Sequence, residues 1–311
     1  MILTVTFNPA IDKTAEVETL EVGGLNRLKN VMQDAGGKGV NVSKTIHALG
    51  GTSLCSGFLA GSAGEYIHKS LSALSITCDF VWVDGMTRTN LKVLDKDMEL
   101  TELNEAGPVI GEQEVEKLIE KILSLTNEET LVVLSGNVSA GVKTSIYKEM
   151  IIEIKKAGGR VILDADGELF AQGIQAHPTV IKPNKYELAT YFNVPQDSSN
   201  EDIIKLAKTL LNEDTKLVVV SMGKEGSIFI QKDVVYCADA LSIQAHSSVG
   251  AGDAMVASIA YAMQEGYELE KLIALAVACS AGAVMSKGTK PAEKELVEEL
   301  MKQVNIRKLE D

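Results

Sequence analysis

The stretch Ser247-Ser248-Val249-Gly250-Ala251-Gly252-Asp253-Ala254-Met255 sets a carboxylate directly behind a turn of small residues. Beyond it Met255, Val256, Ile259, Ala260 and Met263 recur three or four residues apart, as on one helix face. The turn therefore opens a helix. The first N–H groups of a helix have no internal partners and lie at the positive end of its dipole. A bare glycine turn lets a phosphate or a developing oxyanion approach them. Asp253, in the first helical turn, is a proton acceptor beside that cradle. Phosphoryl transfer to a hydroxyl needs both parts. An Asp-capped helix after a glycine turn has the same wording, so the assignment depends on what lies upstream.

Upstream, Gly36-Gly37-Lys38-Gly39-Val40-Asn41 forms a second glycine turn. Val42, Ile46 and Leu49 follow at helical spacing, and Gly50-Gly51 ends the helix. Three glycines around Lys38 leave the backbone open to an anion. The pattern GxxxxGK[ST] is absent, so this is not a P-loop. Gly57, Gly61 and Gly64 are spaced GxxxGxxG rather than GxGxxG, and no acidic residue follows a second strand at the required distance. That argues against hydride transfer with a dinucleotide.

The elements that must position these turns read as an α/β protein. Helices are predicted at 111–125, 140–157, 200–212, 252–265 and 268–287, and strands at 130–135, 160–164, 179–182, 217–222, 227–231 and 234–238. Such alternation makes a mainly parallel sheet covered on both faces. Asn8-Pro9-Ala10-Ile11-Asp12, Leu134-Ser135-Gly136-Asn137, Lys182-Pro183-Asn184-Lys185-Tyr186-Glu187 and Ser221-Met222-Gly223-Lys224-Glu225-Gly226 each fall at a predicted strand end. Beyond the carboxyl ends of the strands is where open α/β sheets bind ligands. Residues 13–35 and a hairpin over 87–105 read as a small sheet inserted in two pieces, a lid or a surface for another copy. The segment 293–311 reads as a solvated final helix.

Composition narrows the classes. The 311 residues suit one large α/β domain or two smaller ones. A formal charge of −13 argues against general binding to nucleic acid or an anionic membrane. An anionic substrate would need a local cluster of Lys and Arg. Cys55, Cys78, Cys237 and Cys279 lack metal-ligand spacing and read as buried thiols of a reducing cytoplasm. Met1 to Phe7 reads as a buried first strand rather than a signal peptide. The most apolar run, Leu272 to Met285, is shorter than the ~20 residues of a membrane span.

With these residues in view, the chain resembles the ribokinase (PfkB) family of carbohydrate kinases, from its first strand to about Thr289. Gly36-Gly37-Lys38-Gly39-Val40-Asn41-Val42-Ser43 and Val249-Gly250-Ala251-Gly252-Asp253 carry the resemblance. Asn8 to Asp12, Thr87-Arg88-Thr89-Asn90-Leu91-Lys92 and Asn104-Glu105-Ala106-Gly107-Pro108 look most like the branch of 1-phosphofructokinase and tagatose-6-phosphate kinase. The resemblance implies a ribokinase-like three-layer α/β/α domain with a mainly parallel central sheet and a small β-sheet lid. Residues 1–12, 36–86 and 106–311 would form the nucleotide- and substrate-binding core, and 13–35 with 87–105 the lid.

It also implies roles. Asp253 is the general base, and the N–H groups of Gly250, Ala251 and Gly252 form the anion hole. Asp12, Gly37 and Asn41 hold sugar hydroxyls, while Arg88, Lys38, Lys92, Arg27 and Ser135 hold the phosphate already on the sugar. Lys182, Asn184, Glu187, Ser221, Gly223, Gly226, Ser248, Gly282 and Ser286 serve the nucleotide, with Glu187 an indirect ligand of Mg2+. The implied reaction is ATP-dependent phosphorylation of a ketohexose monophosphate, tagatose 6-phosphate or fructose 1-phosphate, in a cytoplasmic homodimer joined through the lid. A neutral-sugar or nucleoside kinase and a non-catalytic sugar-phosphate sensor are the alternatives. Asn137, Val138, Ser139, Asp166, Ala106 and Ser286 depart from the family's usual wording, away from the base and anion hole.

Overall fold

A computed structural model describes residues 1–97, 99–244, 250–286 and 288–309. Along the chain the elements are β1 (Ile2–Thr6), β2 (Ala10–Glu16), β3 (Lys29–Gly36), α1 (Lys38–Ala48), β4 (Ser53–Leu59), α2 (Gly61–Ala73), β5 (Thr77–Cys78), β6 (Val81–Trp82), β7 (Arg88–Leu94), β8 (Leu100–Asn104) and α3 (Glu112–Ser124). They continue as β9 (Leu131–Ser135), α4 (Ile146–Lys156), β10 (Arg160–Asp164), α5 (Gly167–Gly173), β11 (Val180–Ile181), α6 (Lys185–Phe192), α7 (Asn200–Lys208) and β12 (Leu217–Ser221). The last are β13 (Ser227–Gln231), β14 (Val234–Ala238), α8 (Ala251–Gln264), α9 (Leu269–Met285), α10 (Lys294–Met301) and β15 (Ile306–Leu309).

Strands whose residues are apolar on both faces must be covered twice. In β9, Leu131 and Val133 join a core with α8 and α9, while Val132 and Leu134 join the opposite core with α4. That alternation makes the three layers. The main sheet runs β15-β14-β13-β12-β11-β10-β9-β1-β4-β5, with β6 on β4. Pairings from β5 to β12 are parallel, and β13, β14 and β15 extend the edge antiparallel. The mainly parallel sheet expected from the sequence is therefore present. Its strands β1, β9, β10, β11 and β12 all deliver their carboxyl ends to one edge.

A separate four-stranded sheet runs β3-β2-β7-β8 and takes in Ala10–Asp12. The parallel register of β2 on β7 sets Ala10 beside Arg88 and Asp12 beside Asn90. The outward side of β3 is exposed along most of its length.

Three features differ from the sequence-based expectations. The helices α2, α5 and α6 are not among those the periodicity predicts; α2 carries glycines at two of its first four positions, which blurs its apolar stripe. The helix expected over 140–157 begins only at Ile146. The final segment is not one solvated helix. α10 buries Val297 and Leu300, and β15 then pairs antiparallel with β14, where Arg307 reaches Asp239 at 2.9 Å. Gly57, Gly61 and Gly64 serve packing: at Gly57 a Cβ would strike the Thr6 carbonyl of the neighbouring strand, and Gly64 lies against Leu59 and Trp82.

Candidate active site

Asp253 stands in the first turn of α8, behind Gly250, whose φ of 86° is the left-handed conformation that favours glycine. The Ala254 N–H bonds the Gly250 carbonyl, so the preceding N–H groups are left to face outward at the positive helix end. The Lys182 ammonium lies 3.7 Å from where a Cβ on Gly252 would sit. An anion at this turn would therefore meet backbone donors and a cation together. Ser248 lies outside the described residues.

The second glycine turn faces the first across the sheet edge. Gly37, at φ 106°, precedes α1, and a Cβ there would press on Pro9 and Thr6. Asn41, in α1, donates from Nδ2 to Asp253 Oδ2 at 2.8 Å, linking positions 212 residues apart. Asn41 Oδ1 is buried with no partner. A buried acceptor left open is costly unless a ligand satisfies it. Burial, and then the charge of Asp164, push the Asp253 carboxyl up to about 6. That suits a general base near neutral pH, since it is ionised there yet still basic.

Asp164 is the residue the sequence reading did not assign. It ends β10, register partner of Ser135 in β9, and is buried. Lys182 Nζ lies 3.0 Å away and Lys38 Nζ 3.4 Å away. Burial alone would raise its carboxyl, but Lys182, Lys38 and the Ser135 hydroxyl, donating at 3.1 Å, hold it at about 2. In return Asp164 raises the pKa of Lys38. One buried anion thus fixes two ammonium groups beside the glycine turn. The available signal was an Asp at the C-terminal end of a buried strand.

At the small sheet, Asp12 is buried, paired with Lys92 at 3.5 Å and accepting from Asn90 Nδ2 at 3.2 Å. Arg88 donates to the Asn8 carbonyl at 3.2 Å and the Glu105 carbonyl at 3.4 Å. Its Nε and the side-chain oxygens of Asn8 and Asn90 are buried without partners. Asn8 and Asn90, quoted in motifs but given no role, belong with Arg88. Arg27 stands apart, exposed on the loop between β2 and β3.

Around the nucleotide positions, Asn184 and Glu187 form a reciprocal cap on α6. Asn184 Oδ1 accepts the Glu187 N–H at 2.7 Å, and Glu187 Oε2 accepts the Asn184 N–H at 2.8 Å. Burial raises the Glu187 carboxyl, and it lies within the field of Lys182, Asp164 and Lys38. Among the described residues no three carboxylate, His or Cys groups converge as a metal cage. Mg2+ keeps several waters and binds through one or two carboxylates plus phosphates, so Glu187 beside the glycine turn fits an indirect role. Ser221 bridges Asn184, and its N–H bonds the Pro183 carbonyl at 3.1 Å. Gly223 is open on its outer side. Gly226 is pressed against the Ala238 carbonyl. Ser286 donates to the Gly282 carbonyl at 3.2 Å, and Gly282 itself packs on Ala292, so its small size serves helix packing.

Comparison with known proteins accords with this geometry. The profile described as pfkB family carbohydrate kinase matches residues 5–295. A 1-phosphofructokinase of Borreliella burgdorferi is 36% identical over 286 residues, covering 92% of each chain. A tagatose-6-phosphate kinase of Staphylococcus epidermidis is 29% identical over 308 residues, 98% of this chain and 99% of the other. The crystal structure of Escherichia coli phosphofructokinase-2 in complex with substrates and products superposes with a TM-score of 0.92 at 26% identity, covering 97% of this chain and 98% of that one. Both glycine turns, Asp253 and the strands of the small sheet fall inside the matched span, and the chain belongs to the pfkB family of carbohydrate kinases.

Proposed function

We propose that this kinase transfers the γ-phosphoryl group of ATP to a free hydroxyl of a ketohexose monophosphate, fructose 1-phosphate or tagatose 6-phosphate, giving a 1,6-bisphosphate. The observation that carries the reading is the buried Asp253, oriented by Asn41 beside a glycine turn and a lysine. Asp253 Oδ2 takes the amide of Asn41. The other carboxylate oxygen then accepts the substrate hydroxyl and removes its proton as the oxygen attacks phosphorus. The N–H groups of the turn and Lys182 stabilise the transferring oxygens. Asp12 and Asn41 orient sugar hydroxyls; Arg88, Lys92 and Lys38 receive the existing phosphate, since a guanidinium fork matches phosphate oxygens. Glu187 would hold Mg2+ indirectly, and the ion would supply neutralisation of phosphate charge.

The small sheet supports a lid that also joins two copies. Val22 and Leu25 on its loop are 95% and 73% exposed, and Val31 and Met32 are exposed on the two opposite faces of β3. Single exposed apolar residues are ordinary, but their concentration at Val22, Leu25, Leu28, Val31 and Met32 supports an interface here. Arg27 on the same loop joins the phosphate clamp when that surface is covered. The relatives named above and the four free cysteines support a cytoplasmic location. Replacing Arg88 with Ala tests the phosphate clamp: affinity for the sugar phosphate should collapse, whereas a neutral-sugar kinase would barely respond.

A further inference from the structure

The two helices that carry the catalytic residues at their N-termini line a second pocket at their other ends. Its volume is about 440 Å³, within the range that takes small organic ligands. Leu49, just past α1, and Tyr261, in the last turn of α8, form part of its wall, with Tyr267, Lys271, Lys294 and Lys302 around them. Leu275 and Val297 give it an apolar floor. Tyr261 lies eight positions beyond Asp253, about 12 Å along the helix. The pocket is therefore separate from the catalytic turn but mounted on the same rods.

Its charge is unusual for this chain. The protein carries −13 overall, yet three lysines and one carboxylate, Glu298, line the pocket. Lys302 is held by Glu299 at 2.7 Å, and Lys271 lies 3.6 Å over the Tyr267 ring. Lys294 has no ion-pair partner among the described residues. The Tyr261 and Tyr267 rings meet edge to face with centroids 6.0 Å apart, placing aromatic surface beside the ammonium groups. Ammonium groups over an apolar floor recognise a compound with an anionic head and an apolar body.

We propose that this pocket binds a small organic anion with an aromatic or apolar body, and that its occupancy is transmitted along α1 and α8 to the turns holding Lys38, Asn41 and Asp253. The two helices pack against each other, and Asn41 is hydrogen-bonded to Asp253, so a shift of one relative to the other would alter the base's orientation. Coupling of this kind is reciprocal, so filling either site changes affinity at the other.

The test uses phenyl phosphate as the probe, by isothermal titration with the active site saturated by a non-hydrolysable ATP analogue and a sugar phosphate. One binding site is expected, and the double variant K271Q/K294Q should weaken it about tenfold or more. Both lysines lie outside the catalytic machinery, so circular dichroism and kcat/KM without probe should match the parent. Saturating phenyl phosphate should change the acceptor KM about fivefold or more in the parent and not in the variant. No saturable binding, binding only when the active site is empty, or equal binding by the variant would overturn the site. Binding at the pocket that leaves KM unchanged would overturn the coupling. The titration does not depend on turnover, so its failure is distinguishable from an error in the assigned reaction.

Discussion

Asp253 carries opposite consequences for activity and stability. With its carboxyl pushed up to about 6, kcat/KM should rise with pH and level off above that value in a pH series of a coupled ADP assay. D253N should lower kcat about a thousandfold. For stability, the folded state holds this proton more tightly than the unfolded chain, whose aspartate titrates near 4. That contribution is present below about pH 4 and is lost as pH rises through about 6. D253N should therefore melt higher than the parent at pH 8, by about 2 °C or more, with the gap closing toward pH 4. Asp164 has the reverse sign: held at about 2, it stabilises above pH 4 and loses that contribution as pH falls toward 2. R88A should raise KM for the sugar phosphate about a hundredfold with kcat little changed, since it removes a contact made equally in ground and transition states.

At the scale of elements, the reciprocal cap on α6 lets the structural and metal roles of one motif be separated. N184A should cost about 1 kcal/mol in denaturant unfolding, the usual loss for a cap. E187Q should raise the Mg2+ concentration for half-maximal rate several-fold; a variant that changes only the melting temperature would reject the metal role. The glycine turns before α1 and α8 were legible because small residues followed by helical spacing are local signals, and the strand ends were legible because proline or polar residues interrupt apolar runs. Asp164 was not legible as a site residue, because its meaning comes from Lys38, 126 positions earlier, and Lys182, just past the next strand. Asn8 and Asn90 stayed without roles because only the pairing of β2 and β7 brings them to Arg88 and Asp12. β15 was missed because a four-residue edge strand has too short an alternation to stand out from a charged tail.

At the scale of the whole molecule, the small sheet is buried where Ala10–Asp12 meet the main domain and exposes apolar residues along β3 and the loop before it. On the proposed dimer through this sheet, L25D combined with V31D should shift sedimentation toward monomer and raise KM for the sugar phosphate, while leaving the melting of the main domain near the parent's. An unchanged sedimentation coefficient would remove the lid from the interface. On the proposed reading, the charge of −13 leaves anion binding to Lys38 at the start of α1, Lys182 just past β11, and Arg88 and Lys92 in β7, a set assembled only in the folded chain. The most direct measurement is ADP release from MgATP with fructose 1-phosphate, tagatose 6-phosphate, fructose 6-phosphate and ribose as acceptors at matched concentrations. One of the two named substrates, fructose 1-phosphate or tagatose 6-phosphate, should give a kcat/KM at least about a hundredfold above ribose, and D253N should abolish it. A preference for ribose, or turnover that survives D253N, would contradict the account.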